Sequence, residues 1–191
     1  MDIHYSNSGG VGPQGAPGGI GNTGAQGVQG LTGASGIAGK YGGFQYLGRQ
    51  AVTDTTQAYL MPWDTVDFSN GVTISNTSRI NFTTAGLYNI QWSGQFQNAN
   101  SNVKDITVWL KVNGLNVVGS AGFASIPMSH GSIPGHSIVG WNYLLQFTAG
   151  QYMEIAWSAE HVDISLESYP AQTGPVRPTT AALIFTAQQI G

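Results

Sequence analysis

The sequence predicts an all-β chain in two parts, a collagen-like triple helix followed by a β-sandwich or barrel, with three copies wound together. Three observations predict it. Glycine recurs at every third position from Gly9 to Gly42 without a break. From Phe44 onward, apolar residues alternate with polar ones at a period of two. No segment carries the 3.6-residue period of an amphipathic helix.

The repeat places glycine at Gly9, Gly12, Gly15, Gly18, Gly21, Gly24, Gly27, Gly30, Gly33, Gly36, Gly39 and Gly42. Three polyproline-like chains can wind together only if the residue on their shared axis has no side chain, which imposes this period. A flexible linker needs glycine but no phase. These twelve glycines are therefore read as the triple-helix axis, and the chain as a homotrimer. The tract contains only Pro13 and Pro17 and almost no charge pairs. Few prolines leave more backbone entropy to lose on winding, so the tract is expected to depend on a trimeric head for register. At about 3 Å per residue it spans roughly 100 Å. The expected domains are 1–8, an attachment peptide; 9–43, the shaft; and 44–191, the head.

Strand patterns fill the head. In Leu87–Phe96 one face takes Tyr88, Ile90, Trp92 and Phe96, and the other takes Asn89, Gln91, Ser93 and Gln95. Ile106–Val112 and Val139–Phe147 repeat the alternation. Met153, Ile155 and Trp157 form a further inward set, then Val162, Ile164 and Leu166. Asn113-Gly114 suits a hairpin with two positive-φ residues, and Asn70-Gly71 offers the same chemistry. Ala85-Gly86 and Ala149-Gly150 each precede a strand. Pro127, Pro134-Gly135 and the stretch Pro170–Pro178 mark longer loops. Five apolar residues fall on the outward phase: Trp109, Leu144, Tyr152, Leu183 and Phe185. They are candidates for the trimer interface, with the core of a second sheet as the alternative.

Composition excludes several functions. Charged residues make up 8% of the chain and the net charge is −3, against about a quarter charged in a typical domain. The six Lys and Arg are scattered, so no basic patch invites nucleic acid. No apolar stretch is long enough for a membrane span, and Met1–Tyr5 lacks a secretory signal's basic and apolar regions. With no cysteine, disulfides and thiolate metal sites are excluded. Catalysis is not expected. Gly-x-Ser-x-Gly is absent, and Glu154, Glu160 and Glu167 show no paired arrangement for acid–base work. His130 and His136 could offer axial metal ligands in a trimer, and His161 with Asp163 shares a strand face. Solvated loop residues and a surface polar pair are the favoured readings, so no metal and no cofactor is expected.

A collagen-like stalk followed by these strands resembles the complement globular-head and tumour necrosis factor superfamily. The matching stretches are Arg79–Tyr88, Trp109–Gly114, Tyr143–Ile155 and Thr180–Thr186. The resemblance implies a ten-strand, two-sheet jelly roll packed as a tight homotrimer that binds and does not catalyse. Lacking cysteine, and with a short stalk and an amide-rich surface, the chain is more similar to bacteriophage virion fibres than to secreted animal members. The implied role is a capsid- or tail-attached appendage at the virion surface. It contacts another virion protein through Met1–Ser8 and a host-surface ligand through the head, with neither nucleic-acid binding nor membrane insertion. The alternative is a non-viral bacterial surface or spore-coat fibre.

Overall fold

A computed structural model describes residues 9–19 and 39–191. The chain divides into two units, Met1–Ser35 and Gly36–Gly191. In the first, residues 9–19 are exposed and belong to no strand or helix. A Cβ added at Gly9, Gly12, Gly15 or Gly18 would meet nothing within 4 Å in the single chain. The attachment peptide Met1–Ser8 and the axis glycines Gly21, Gly24, Gly27, Gly30, Gly33 and Gly36 lie outside the described residues.

The second unit is all-β; among the described residues there is no helix. Its first strands are β1 (Tyr41–Tyr46), β2 (Gln50–Ala51), β3 (Tyr59–Leu60), β4 (Thr65–Asn70), β5 (Val72–Ser75) and β6 (Arg79–Phe82). The long strands β7 (Gly86–Asn98) and β8 (Lys104–Val112) follow, then β9 (Leu115–Asn116), β10 (Gly122–Ile126) and β11 (Gly135–Phe147). The chain closes with β12 (Tyr152–Ala159), β13 (Ile164–Leu166), β14 (Gln172–Thr173), β15 (Val176–Arg177) and β16 (Leu183–Gln189).

Two antiparallel sheets pack face to face. In the first, β7 pairs with β11 along its whole length. Its other edge takes β16 over Tyr88–Gly94 and β13 over Phe96–Asn98. Beyond β16 the sheet continues through β1 to β4. The second sheet runs β10-β8-β12-β6-β5, with β3 and β9 as short additions. Aromatic rings close the space between them. Phe82 and Phe147 stack with centroids 3.8 Å apart, Tyr88 meets Phe82 edge-on at 4.8 Å, and Phe96 meets Trp157 edge-on at 5.3 Å. Such offset and edge-on pairs add to plain area burial.

The turns follow from local chemistry. Asn113 (φ 49°) and Gly114 (φ 80°) join β8 to β9 in the tight hairpin their sequence favours. Asn76 and Thr77 also take positive φ between β5 and β6, which the sequence reading did not anticipate. At Asn70-Gly71 only the glycine is left-handed (φ 75°), so the two-residue positive-φ turn expected there does not form.

Three expectations are corrected. The head begins before Phe44, because Gly42 pairs with Ala187 on one side and Ser69 on the other. Gly42 is thus a strand residue, and its in-phase place in the repeat is not a place on a triple-helix axis. Leu183 and Phe185 are fully buried in the core of the single chain, so neither can lie at a trimer interface; Ile184 between them points outward instead. Val162 is half exposed and precedes β13, while Ile164 and Leu166 are buried as expected.

Candidate functional site

Charge is sparse on the first sheet, where among the described strands only β4 carries a charged residue, Asp67, whose carboxylate accepts from Gln45 Nε2. Strands β7, β11 and β16 contain no Lys, Arg, Asp or Glu anywhere along their length. On the second sheet, β8 alone carries Lys104, Asp105 and Lys111, and Arg79 and Glu154 lie on β6 and β12. The outer face of the first sheet presents amides and hydroxyls at Asn89, Gln91, Ser93 and Gln95, with Thr186 and Gln188 beside them. Large apolar side chains interrupt this neutral surface: Phe68 (50% exposed), Ile138 (75%), Leu144 (60%) and Ile184 (47%).

Alternation places these residues there. Tyr88, Ile90, Trp92 and Phe96 turn inward on β7, so the intervening amides must turn outward. On β11 the same rule buries Val139 and Phe147 and exposes Ile138 and Leu144. A depression of about 450 Å³ lies at the Tyr41 end of this face. It is lined by Tyr41, Phe68, Asn89, Gln91 and Gln188, and the Tyr41 and Phe68 rings stand 6.0 Å apart. Phe68 also roofs Gly43, where a Cβ would collide with its ring.

Of the five residues expected to be outward and apolar, only Leu144 lies on this face. Trp109 and Tyr152 belong to the second sheet, and each has a partner within the chain. The Trp109 indole Nε1 donates to Asn116 Oδ1 at 3.0 Å. The Arg79 guanidinium lies 4.2 Å above the Tyr152 ring. Arg79 Nε is also 3.6 Å from Glu154 Oε1, which accepts from Ser78 Oγ at 2.9 Å. Phe68, Ile138 and Ile184 were missed by the sequence reading. For Ile184 the signal was ambiguous, since Leu183-Ile184-Phe185 offers an apolar residue in either phase.

The histidines are held in local structure. His130 exchanges backbone hydrogen bonds with Ile133 across a tight turn. His136 opens β11, where its Nδ1 lies 3.2 Å from the Tyr169 hydroxyl. His161 Nδ1 is 3.2 Å from Asp163 Oδ2, which accepts from Asn100 Nδ2 at 3.0 Å. Among the described residues no group of three His, Cys, Asp or Glu could hold a metal ion.

Under the β14–β15 hairpin a second depression, of about 410 Å³, is lined by Gln95, His136, Ser137, Ile138, Tyr169 and Arg177. The Arg177 guanidinium lies 5.2 Å over the Tyr169 ring. Burial raises the Tyr169 hydroxyl above the usual tyrosine range, and the Glu167 carboxylate adds to this. No protein-family model and no curated protein matches the chain.

Proposed function

We propose that the chain is a structural virion protein. It forms a homotrimeric fibre, appended to a capsid or tail, that carries its head outward to contact a host surface. The observation that carries this reading is the pairing of two features in one chain. One is a glycine repeat whose phase only a three-chain winding requires. The other is a sheet face with no charged residue on strands β7, β11 and β16 and four large exposed apolar side chains.

Depletion of charge distinguishes the buried centre of an interface from ordinary surface. The neutral face is therefore assigned to contact between subunits around Leu144 and Ile184, which serve as its apolar anchors. The amides around them supply hydrogen bonds that need no paired charge. The strand orders β4-β1-β16-β7-β11 and β5-β6-β12-β8-β10 support the reading of the head as a ten-strand jelly roll of the trimeric kind. The role is geometric: the repeat sets reach, and threefold repetition multiplies weak contacts with the host. Met1–Ser8 supplies the attachment to another virion protein. No catalytic step is assigned.

The test is immunolabelling of intact virions with an antibody to residues 44–191, viewed by negative stain. Label on projecting appendages is expected. Virions that contain the protein but bind no label, or label confined to non-viral cell surfaces, contradict the reading.

A further inference from the structure

We propose that the depression beneath the β14–β15 hairpin is a binding site for a saccharide that carries a carboxylate. This rests on the fibre reading and names the ligand chemistry and the place of contact. Segments distant in the sequence converge there: Gln95 from β7, His136 to Ile138 from the start of β11, Tyr169 from the loop before β14, and Arg177 from β15.

Each wall has a free valence suited to such a ligand. Arg177 is held by its Nε, which donates to Gln172 Oε1 at 3.0 Å, and by the Tyr169 ring beneath it. Among the described residues no carboxylate pairs with it. Its terminal amino groups therefore present an unneutralised fork, the geometry that recognises a carboxylate by two parallel hydrogen bonds. The Tyr169 hydroxyl donates to Gln97 Oε1 at 2.5 Å. Its oxygen accordingly accepts from His136 Nδ1, which leaves Nε2 free to meet a ligand. Gln95 Nε2 donates to Glu167 O at 3.0 Å and to Thr180 Oγ1 at 3.2 Å, which leaves Oε1 to accept. The Gln95 amide oxygen, His136 Nε2, a cationic fork and the Ser137 hydroxyl match a ring bearing several hydroxyls and one acid. Ile138 adds an apolar wall for the ring's C–H face.

Size and position agree. About 410 Å³ accommodates one or two sugar rings. The site lies near the Gln97 end of β7, whereas Tyr41, where β1 begins, pairs with Gln188 and so lies near Asn89. The eight residue steps from Asn89 to Gln97 put roughly 27 Å of strand between those ends. An acidic peptide is disfavoured because side chains, and not a row of open backbone groups, line the depression.

The experiment uses the full chain and saturation-transfer and titration NMR. The probes are a glucuronate-terminated disaccharide, a sialic-acid-terminated trisaccharide, the matching neutral sugars and a polyglutamate peptide. At least one acidic sugar is expected to bind, with the neutral sugars at least tenfold weaker. Arg177→Gln should weaken the acidic sugar by tenfold or more, and His136→Ala should also weaken it. Near-UV circular dichroism should be unchanged in both variants. Lys111→Gln, on the opposite sheet, should bind like the wild type. The proposal is overturned if no acidic sugar binds, if neutral sugars bind equally well, if Arg177→Gln binds undiminished, or if polyglutamate binds in their place. Virions that carry the antibody label but whose protein ignores acidic sugars remove this site and leave the fibre reading intact. Unlabelled virions remove the fibre reading itself.

Discussion

Gly122 on β10 and Trp141 on β11 share one space, although they belong to different sheets. The Trp141 indole lies where a side chain on residue 122 would project, and a Cβ there would fall well inside contact distance of Cζ2. Trp141 in turn stands directly opposite Trp92 on β7, with ring centroids 5.3 Å apart. The two edge strands are thus held together by an indole that needs a glycine opposite it. Gly122→Val should cost about 2 kcal/mol through overpacking. For a domain of this size that lowers Tm by roughly 4–8 °C, readable by calorimetry. An unchanged Tm would show that the indole moves aside freely.

The ring stack between the sheets predicts a larger loss. Phe147 is buried against Phe82 and Tyr88. Removing its ring deletes both contacts and leaves a cavity. Phe147→Ala should destabilise the head by about 3–5 kcal/mol, measured by urea unfolding with an unchanged m-value.

Leu144 and Ile184 project from the neutral face and contribute little to the single chain's own core. Leu144→Asp combined with Ile184→Asp should leave the head folded but weaken association by at least tenfold, about 1.4 kcal/mol for each decade. Val118→Asp is the matched control, because Val118 is 99% exposed in the segment between β9 and β10. Sedimentation velocity at several concentrations distinguishes the two. Equal association in both proteins would remove the neutral face from the interface.

Gly15 offers a test of the winding itself. In one chain a Cβ at this position meets nothing within 4 Å, so Gly15→Ala has no clash to make unless other chains crowd the axis. The variant should lose a low-temperature melting step in circular dichroism while the head's transition stays in place. Two unchanged transitions would show that no triple helix surrounds Gly15.

Burial also predicts the response to alkali. The hydroxyls of Tyr46, Tyr88, Tyr143 and Tyr169 are all pushed above the usual tyrosine value, with burial the first cause in each. Three of them donate to backbone carbonyls: Tyr46 to Arg49, Tyr88 to Thr84 and Tyr143 to Ser120. Between the unfolded value, about 10, and the raised folded values, the native state holds more protons. Their contribution is therefore complete below pH 10 and is lost as pH rises through the folded values. Urea midpoints should fall as pH rises above 10.

Much of the head was legible because its long strands alternate cleanly. Tyr88-Asn89-Ile90-Gln91-Trp92 admits only one inward phase, and the left-handed positions at Asn113, Gly114 and Gly150 coincide with turn chemistry. Legibility failed where two patterns overlapped. Gly42 and Gly43 continue the glycine-rich tract but are extended in β1, because partners on β16 and β4 outweigh local pattern. Leu183-Ile184-Phe185 could bury either phase, and a one-residue change of phase reverses every side chain. The pocket of Gln95, His136, Tyr169 and Arg177 draws on positions up to 82 residues apart. No local spacing announces it; the pairing of β7 with β11 and the fold-back of the β14–β15 hairpin bring it together.

The central claim is that three copies act as one particle, and sedimentation equilibrium of the full chain tests it most directly. The account predicts a mass of about 60 kDa, three times the 20.1 kDa chain, at every micromolar concentration examined. A single species near 20 kDa over the same range would contradict it.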